Sequence, residues 1–219
     1  MFKYVLYLLA IMIAVGLAVG GIHLYRVAVK NKKEMAAYEG PAAAVERRFG
    51  RVLVVYYSLS GHTREIAEKI KALTGGDIYE IKTAEEIKTT PWFYLTLRRQ
   101  IKEKNYPVLA GELPDLSRYD IIFVGAPVWW YTMATPLSAF LEQVDFQGRK
   151  VVPFSTQGSN YGSYFEDFTT QAKHAEIQRA QSFNNLPAKY DEAVDNKIVQ
   201  WLNNCLLYTS PSPRDPKTS

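Results

Sequence analysis

The segment from Ser58 to Thr63 combines residue types that could hold a phosphate group. It reads SLSGHT and follows the apolar run VLVVYY at 52–57. Three hydroxyl groups, a glycine that permits a tight turn and the N–H groups at the start of a following helix all suit a phosphate dianion. The segment lacks the Gly-Lys-Ser/Thr of a P-loop, the glycine spacing of a dinucleotide fingerprint and the glycine of a nucleophile elbow. A phosphate cradle and a plain capped turn are equally compatible with this composition.

A second segment, GAPVWWYT at 125–132, places three aromatic residues in succession after the most apolar run of the folded part of the chain. Trp129, Trp130 and Tyr131 cannot all face a core, so at least one ring must lie in a crevice. An exposed ring there could stack on a flat heteroaromatic ligand. An aromatic lid or an interface patch is the alternative interpretation.

A third segment, STQGSNYG at 155–162, is short, polar and punctuated by glycine. Its backbone N–H groups could hydrogen-bond the edge of a planar ring, with Tyr161 close by, and a flexible surface loop is the alternative. Taken in chain order, the three segments supply a phosphate cradle, an aromatic wall and a polar edge. A mononucleotide with a tricyclic ring requires that set of groups.

The elements that must position these segments alternate between strand and helix. Short apolar runs predict strands at 51–58, 77–82, 119–125, 150–155 and 175–183, and helical spacing predicts helices at 63–73, 85–104, 136–144, 163–173 and 188–203. Pro91 predicts a break in the second of these helices, or a later start near Thr90. Five strand–helix repeats indicate an α/β fold, a parallel sheet with helices on both faces, which binds ligands at the carboxyl ends of its strands.

The N-terminal segment Tyr4–Ile22 contains nineteen residues without a charge, which as a helix would span about 28 Å, close to the thickness of one hydrocarbon core. The competing interpretation is a cleaved signal peptide with its cleavage site at Ala18–Gly20. The apolar run is longer than the apolar region of a signal peptide, which has ~7–15 residues, and this favours an uncleaved anchor. Basic residues follow the span, so the positive-inside rule predicts a single-pass protein of the cell membrane with a cytoplasmic soluble domain. These residues are Arg26, Lys30, Lys32 and Lys33.

The basic excess of the chain lies at its ends. The first 33 residues carry five basic and no acidic side chains, whereas residues 34–204 carry 19 basic and 21 acidic ones. The body therefore offers no electrostatic footprint for nucleic acid. A single cysteine can build neither a disulfide framework nor a cysteine-based zinc site, and we predict no metal.

The last segment, CLLYTSPSPRDPKTS at 205–219, shows no periodicity and resembles the translation of a sequencing adapter. We predict a non-native or disordered tail there. The chain then divides into four parts. They are a transmembrane anchor at 1–26, a basic and alanine-rich tether at 27–50 that could continue the helix, a folded domain at 51–204 and the tail at 205–219.

From about Arg51 to Asn203 the chain resembles the flavodoxin family, specifically its short bacterial flavodoxin-like members. The resemblance is carried by YYSLSGHTREIAEKI at 56–70, GGDIYEI at 75–81 and YDIIFVGAPVWWYTMATPLSAFLEQVDFQGRKVVPFSTQGSNYGSYFEDF at 119–168. It implies a doubly wound, five-stranded parallel sheet in the order 2-1-3-4-5 and non-covalently bound FMN.

Transferred by position, the resemblance also implies three groups of FMN-binding residues. The phosphate would be held by Ser58, Ser60, Gly61, His62 and Thr63. The isoalloxazine would be bordered by Ala126, Pro127, Val128, Trp129 and Trp130. The pyrimidine side would be closed by Thr156, Gln157, Gly158, Ser159 and Tyr161. His62 replaces the Asn or Thr more usual there. A cationic histidine predicts tighter FMN binding at low pH, and a solvent-exposed loop residue is the alternative.

A flavin carries its own redox chemistry, so we expect no catalytic base or nucleophile among the protein residues. The leading hypothesis is a membrane-tethered FMN oxidoreductase. It would pass hydride or electrons from reduced nicotinamide, NAD(P)H, or from a protein donor to a quinone-like acceptor that the anchor keeps close. One alternative is a flavodoxin-type electron carrier that serves a redox protein partner without substrate turnover of its own. The other is a flavin-free binding or sensor module on the same fold.

Overall fold

The computed structural model describes residues 2–41, 44–46, 49–90 and 92–206. Pro91 and the predicted tail from residue 207 onward lie outside the described residues. Cys205 belongs to the described part and is fully buried, so the packed domain extends past residue 204.

The helices of the described residues are α1 (Phe2–Ala36), α2 (His62–Thr74), α3 (Phe93–Glu103), α4 (Thr135–Gln143), α5 (Tyr164–Gln171) and α6 (Asp191–Asn204). The strands of the main sheet are β1 (Val52–Tyr56), β2 (Asp77–Glu80), β3 (Ile121–Trp129), β4 (Lys150–Gln157) and β5 (Gln181–Asn184). The shorter elements are two-residue strands at Lys82–Thr83, Leu109–Ala110, Thr132–Met133 and Glu176–Ile177, with 3-10 turns at Leu116–Arg118 and Ala188–Tyr190.

The five main strands form one parallel sheet in the order β2-β1-β3-β4-β5. The predicted order 2-1-3-4-5 is thereby confirmed. The central strands are buried on both faces, which explains why their sequences are continuous apolar runs rather than alternating ones. Val54 and Phe123 point to the core shared with α2 and α6, while Val55 and Val124 point to the core shared with α4 and α5. The sheet is therefore doubly wound.

Two strands are longer than the sequence predicts. β3 continues four residues past the predicted end at 125, because Ala126 and Pro127 still pair with β4 and because Trp129 pairs with Thr132 in a short hairpin. β4 likewise runs to Gln157. The segments 125–132 and 155–162 therefore begin as strand, past the predicted strand ends at 125 and 155.

Two further predictions need correction. The strand predicted at 175–183 is interrupted, since Glu176–Ile177 and Gln181–Asn184 pair separately with β4. Residues 85–90 are not helical, and α3 begins only at Phe93. The prediction of a later helix start near Thr90 is thus confirmed, whereas a helix beginning at Glu85 is not.

Helix α1 includes the predicted membrane span and continues into the predicted tether as far as Ala36. Among the described residues it is the one helix long and apolar enough to cross a membrane, a test that a signal sequence also passes. Its apolar part is exposed, but Met35 near its end is only 1% exposed. The final turns of α1 therefore pack against the folded domain.

Candidate functional site

The first predicted segment forms a tight turn between β1 and α2. Gly61 adopts a φ of +97°, which favours glycine, and its N–H donates to Ser58 Oγ at 3.1 Å. The first helical hydrogen bond of α2 runs from the Glu65 N–H to the Gly61 carbonyl at 2.9 Å. The N–H groups of residues 62–64 consequently have no partner within the helix, which is the arrangement that favours an anion.

The basic side chains beside this turn differ in how available they are to a bound anion. Arg64 donates hydrogen bonds to the Glu80 carboxylate and to the Tyr56 hydroxyl, and the bond to Glu80 raises the pKa of Arg64. His62 is exposed at the first position of α2. An anion here would therefore meet backbone N–H groups, the hydroxyls of Ser60 and Thr63, and the imidazole of His62.

Two hydroxyl groups join the first and third predicted segments. Thr63 at the start of α2 and Thr156 near the end of β4 are both buried, and their Oγ1 atoms lie 2.7 Å apart. The end of β1 is tied to the second segment as well, because the Tyr57 N–H donates to the Gly125 carbonyl at 3.0 Å. The three segments thus meet at the carboxyl edge of the sheet.

The aromatic residues of the second segment separate into core and surface. Trp129 is 8% exposed and packs edge-on against Tyr57 at 5.6 Å and Phe93 at 5.3 Å. Trp130 and Tyr131 are exposed. The expectation that at least one ring leaves the core agrees with these positions.

A tight hairpin turn directs the exposed rings. Trp130 and Tyr131 occupy its two central positions with φ of +49° and +62°, the signs that a type I′ turn requires. The indole Nε1 of Trp130 donates to the Tyr94 carbonyl at 2.8 Å. A left-handed backbone at non-glycine residues is costly, and such positions cluster at ligand clamps.

The second and third segments enclose a cleft of about 400 Å³, which we call the edge cleft. It includes five residues that the sequence predicts for the cofactor, namely Val128, Trp130, Gln157, Gly158 and Ser159. It also includes Tyr94, Tyr131 and Asn160, which the predicted set omits. Tyr131 and Asn160 lie within segments already noted, whereas α3 gave no sequence signal that Tyr94 would reach this edge.

Other predicted residues lie outside the lining of the edge cleft. Ala126 is fully buried in the core, Trp129 belongs to the same core, and Pro127 is half-buried. Tyr161 is 44% exposed and contacts Phe165, with ring centroids 5.1 Å apart. Ala126 and Trp129 therefore support the cleft by packing.

The width of the edge cleft depends on a close approach of two backbones. Gly162 has a φ of +56°, and a Cβ there would lie 2.2 Å from the Tyr131 carbonyl oxygen. The same carbonyl accepts a hydrogen bond from the Ser163 N–H at 2.8 Å. A side chain at position 162 would push the two segments apart.

Hydrogen-bonded side-chain amides fix the polar end of the edge cleft. Ser155 Oγ donates to Gln157 Oε1 at 2.9 Å, and Gln157 Nε2 donates to Asn184 Oδ1 at 3.0 Å. Gln157 is 5% exposed, so its side chain has one orientation. The backbone from Gln157 to Ser159 is thereby placed along the cleft.

A second cavity of about 590 Å³ lies beside Trp129, between residues 84–90, α3 and residues 105–108. Thr135 also lines it, and its buried Oγ1 has no hydrogen-bond partner in the structure. The sequence gave no signal for this cavity, since its lining residues follow no single strand. Within the described residues there is no cluster of three or more metal-ligating side chains.

Comparisons with known proteins agree with this architecture. The family model described as flavodoxin matches residues 51–205. A flavoprotein from Lactobacillus acidophilus NCFM, crystallised in complex with FMN, superposes with a TM-score of 0.56 and 27% identity, over 61% of this chain and 93% of that one. A putative flavoprotein from Bacteroides uniformis superposes with a TM-score of 0.57 and 25% identity, over 71% and 99% of the two chains.

A curated relative from Cupriavidus metallidurans is named NAD(P)H dehydrogenase (quinone). It is 33% identical over 95 residues, which cover 42% of this chain and 46% of that protein. A relative from Azorhizobium caulinodans with the same name matches over the same extent, also at 33% identity. The chain therefore spans about half the length of the curated relatives it matches.

Proposed function

The chain belongs to the flavodoxin family, and on that premise we propose that it binds FMN non-covalently at the carboxyl edge of its sheet and acts as an FMN-dependent oxidoreductase. The observation that carries the proposal is the convergence of the α2 turn and the edge cleft. They are joined by the 2.7 Å contact between Thr63 and Thr156.

The described residues fit such a cofactor. The edge cleft, at about 400 Å³, lies within the range of ligand sites, roughly 300–1,000 Å³. Its exposed indole at Trp130 suits an aromatic ring. The anion-binding turn before α2 lies at the same edge and suits a phosphate. A mononucleotide with a large ring requires both features.

We assign the cofactor contacts by these positions. The phosphate would be held by the N–H groups of residues 62–64, the hydroxyls of Ser58, Ser60 and Thr63, and His62. The ring would lie against Trp130 and Val128, with the backbone of Gln157, Gly158 and Ser159 along its polar edge. Tyr161 would close the outer side. Gly61, Ala126, Pro127, Trp129 and Thr156 would shape these contacts from behind.

FMN, when bound, supplies the hydride and electron chemistry. The chain's own groups bind and orient it. Trp130 excludes water from one side of the cleft, and the hydrogen-bonded Gln157 keeps the backbone at 157–159 in place. Burial raises the pKa of Tyr57 to about 12, so the phenol behind Trp129 stays neutral and adds no charge near the site.

Two further observations, the names of the curated relatives and the apolar helix α1, support an electron donor and an electron acceptor. The curated relatives are named as quinone-reducing NAD(P)H dehydrogenases, which supports reduced nicotinamide as donor and a quinone-like acceptor. The apolar helix α1 supports a single-pass anchor over residues 4–22, which would keep the flavin near a lipid-soluble acceptor. The basic residues that follow the span support a cytoplasmic domain.

Turnover by the purified full chain in detergent tests this proposal. With FMN bound, we expect steady oxidation of NAD(P)H that depends on an added quinone and needs no other protein. Turnover only after addition of a reductase would instead favour an electron carrier. A chain that folds but retains no FMN would contradict the proposal and favour a flavin-free module.

A further inference from the structure

The end of helix α1 is part of the folded domain. Asn31 and Met35 are buried against it. Asn184 Nδ2 donates to Asn31 Oδ1 at 2.8 Å, and Lys197 Nζ donates to the Glu34 carboxylate at 2.6 Å. We call the set Asn31, Glu34, Asn184 and Lys197 the helix clamp.

The charge pair in the helix clamp makes this contact specific. Lys197 is only 2% exposed, and its ammonium also donates to the Ser182 carbonyl at 2.6 Å. A buried ammonium without its carboxylate partner is strongly unfavourable. Removing α1 from the domain would separate this ammonium from the Glu34 carboxylate, so the clamp keeps the end of α1 in one position.

The contacts after the clamp show in which direction α1 points. Asn31 meets Asn184, the last residue of β5, at the carboxyl edge of the sheet. The carbonyls of Tyr38 and Gly40 accept from Asn196 in the middle of α6. The Ala44 carbonyl and the Glu46 N–H both bond the side chain of Asn203 near the end of α6.

Between residues 31 and 46 the chain therefore runs from the carboxyl edge of the sheet to its amino edge. It then enters β1 at the amino end of that strand. Because α1 is one continuous helix, its residues before Asn31 extend in the opposite direction, beyond the carboxyl edge. The edge cleft lies at that same edge. The membrane span and the edge cleft thus lie toward the same end of the domain.

The distance between them is short. Ile22, the last residue of the uncharged run, precedes Asn31 by nine residues, which is about 14 Å of helix. Asn184, which bonds Asn31, also accepts from Gln157 at the edge cleft. Arg26 and Lys30 lie in this interval, and Lys32 and Lys33 follow directly after it. Anionic lipid headgroups attract basic side chains at such a position.

We propose that the helix clamp fixes the domain in one orientation, with the edge cleft directed at a lipid surface that carries anionic headgroups. The acceptor that this orientation serves is an apolar ring compound dissolved in the bilayer. The inference rests on the membrane anchor of the proposed function and specifies how the site of that function faces its substrate.

A pair of matched cysteine labels tests the orientation in the full chain, since the native Cys205 is fully buried. Ser159→Cys places a fluorophore at the edge cleft, and Ser117→Cys places it at the amino edge before β3. Each protein is inserted into phosphatidylcholine–phosphatidylglycerol vesicles that contain a headgroup-labelled quencher lipid. We expect at least threefold stronger quenching at position 159. Equal quenching, or stronger quenching at position 117, would overturn the proposal.

Variants of the helix clamp test its role in the same assay. Asn31→Ala with Glu34→Gln should reduce the difference between the two labels. Glu39→Gln, an equal change of charge at an exposed position outside the clamp, should leave it intact. An undiminished difference in the clamp variant would refute the clamp as the orienting device.

The assay requires no flavin, so failure to bind FMN would contradict the proposed function without affecting this result. A chain that does not float with the vesicles would refute the anchor and this inference together. With NAD(P)H as the electron donor, the orientation also predicts that vesicle-bound protein reduces a lipid-dissolved quinone faster when the clamp is intact, while reduction of ferricyanide in the water phase is unchanged. If the clamp variant lost the same fraction of its reduction rate with the quinone and with ferricyanide, that prediction would be contradicted.

Discussion

The Oγ1 atoms of Thr63 and Thr156 lie 2.7 Å apart, although the two residues are 93 positions apart in the chain. Both side chains are buried. Thr63 lies in the first turn of α2, and Thr156 is the residue before the end of β4, which leads into the edge cleft. The proposed phosphate site and the proposed ring site are therefore connected through a buried contact.

Loss of this contact should weaken cofactor binding at the phosphate. In Thr63→Val the Thr156 hydroxyl loses its buried partner, which costs about 1–3 kcal/mol. We expect FMN affinity of the apoprotein to fall by about tenfold or more, and riboflavin affinity to fall less. Fluorescence titration measures both. Thr74→Val, at the far end of α2, is the control and should change neither affinity. Equal weakening for both ligands would contradict a phosphate role.

Removal of the exposed indole should weaken binding of the ring. Trp130 lines the edge cleft, and aromatic stacking of a base on such a ring contributes about 1–3 kcal/mol. Trp130→Ala should therefore lower FMN affinity by about tenfold or more. Trp92→Ala removes an indole that is also exposed but lies outside the cleft, and its affinity should match that of the unaltered chain. Indistinguishable affinities for the two variants would contradict the assignment of the ring site.

The helix clamp predicts a loss of stability that a second substitution recovers. Glu34→Ala leaves the Lys197 ammonium buried without its carboxylate. We expect the free energy of unfolding to fall by about 1–3 kcal/mol, less than for a fully buried pair because Glu34 is partly exposed. Adding Lys197→Met removes the buried charge and should recover much of that loss. Urea unfolding of the full chain in detergent measures the series. No recovery in the double variant would show that the pair is not the source of the effect.

The buried phenol of Tyr57 predicts a loss of stability at alkaline pH. Burial raises its pKa from an ordinary value of 10.0 to about 12. The folded state thus favours the neutral phenol, and this contribution is complete below about pH 10 and is lost as the pH rises toward 12. In Tyr57→Phe the free energy of unfolding should fall less steeply across that interval. Identical slopes for the two proteins would contradict a buried phenol.

Apolar runs such as VLVVYY at 52–57 were sufficient to predict the parallel sheet, because strands buried on both faces carry a strong apolar signal. The strand order was predicted from the resemblance to the flavodoxin family. The sequence also identified the three segments that meet at the carboxyl edge. It did not show that β3 continues to Trp129, because a proline such as Pro127 argues against the interior of a sheet. The hairpin turn at Trp130 and Tyr131 was missed as well, since neither central residue is Gly or Asn.

The helix clamp could not be predicted for a different reason. Glu34 and Lys197 are 163 residues apart, and each occurs in a stretch where a charged residue is ordinarily solvent-exposed. The position of Tyr94 at the edge cleft likewise depends on how α3 packs beside β3, which local periodicity does not encode. Contacts between distant segments decide these features.

The identity of the bound cofactor tests the central claim most directly. The full chain, purified in detergent, should show flavin absorbance bands, and denaturation should release FMN in a ratio of about one per chain. A folded protein that is colourless and does not retain added FMN would contradict the account.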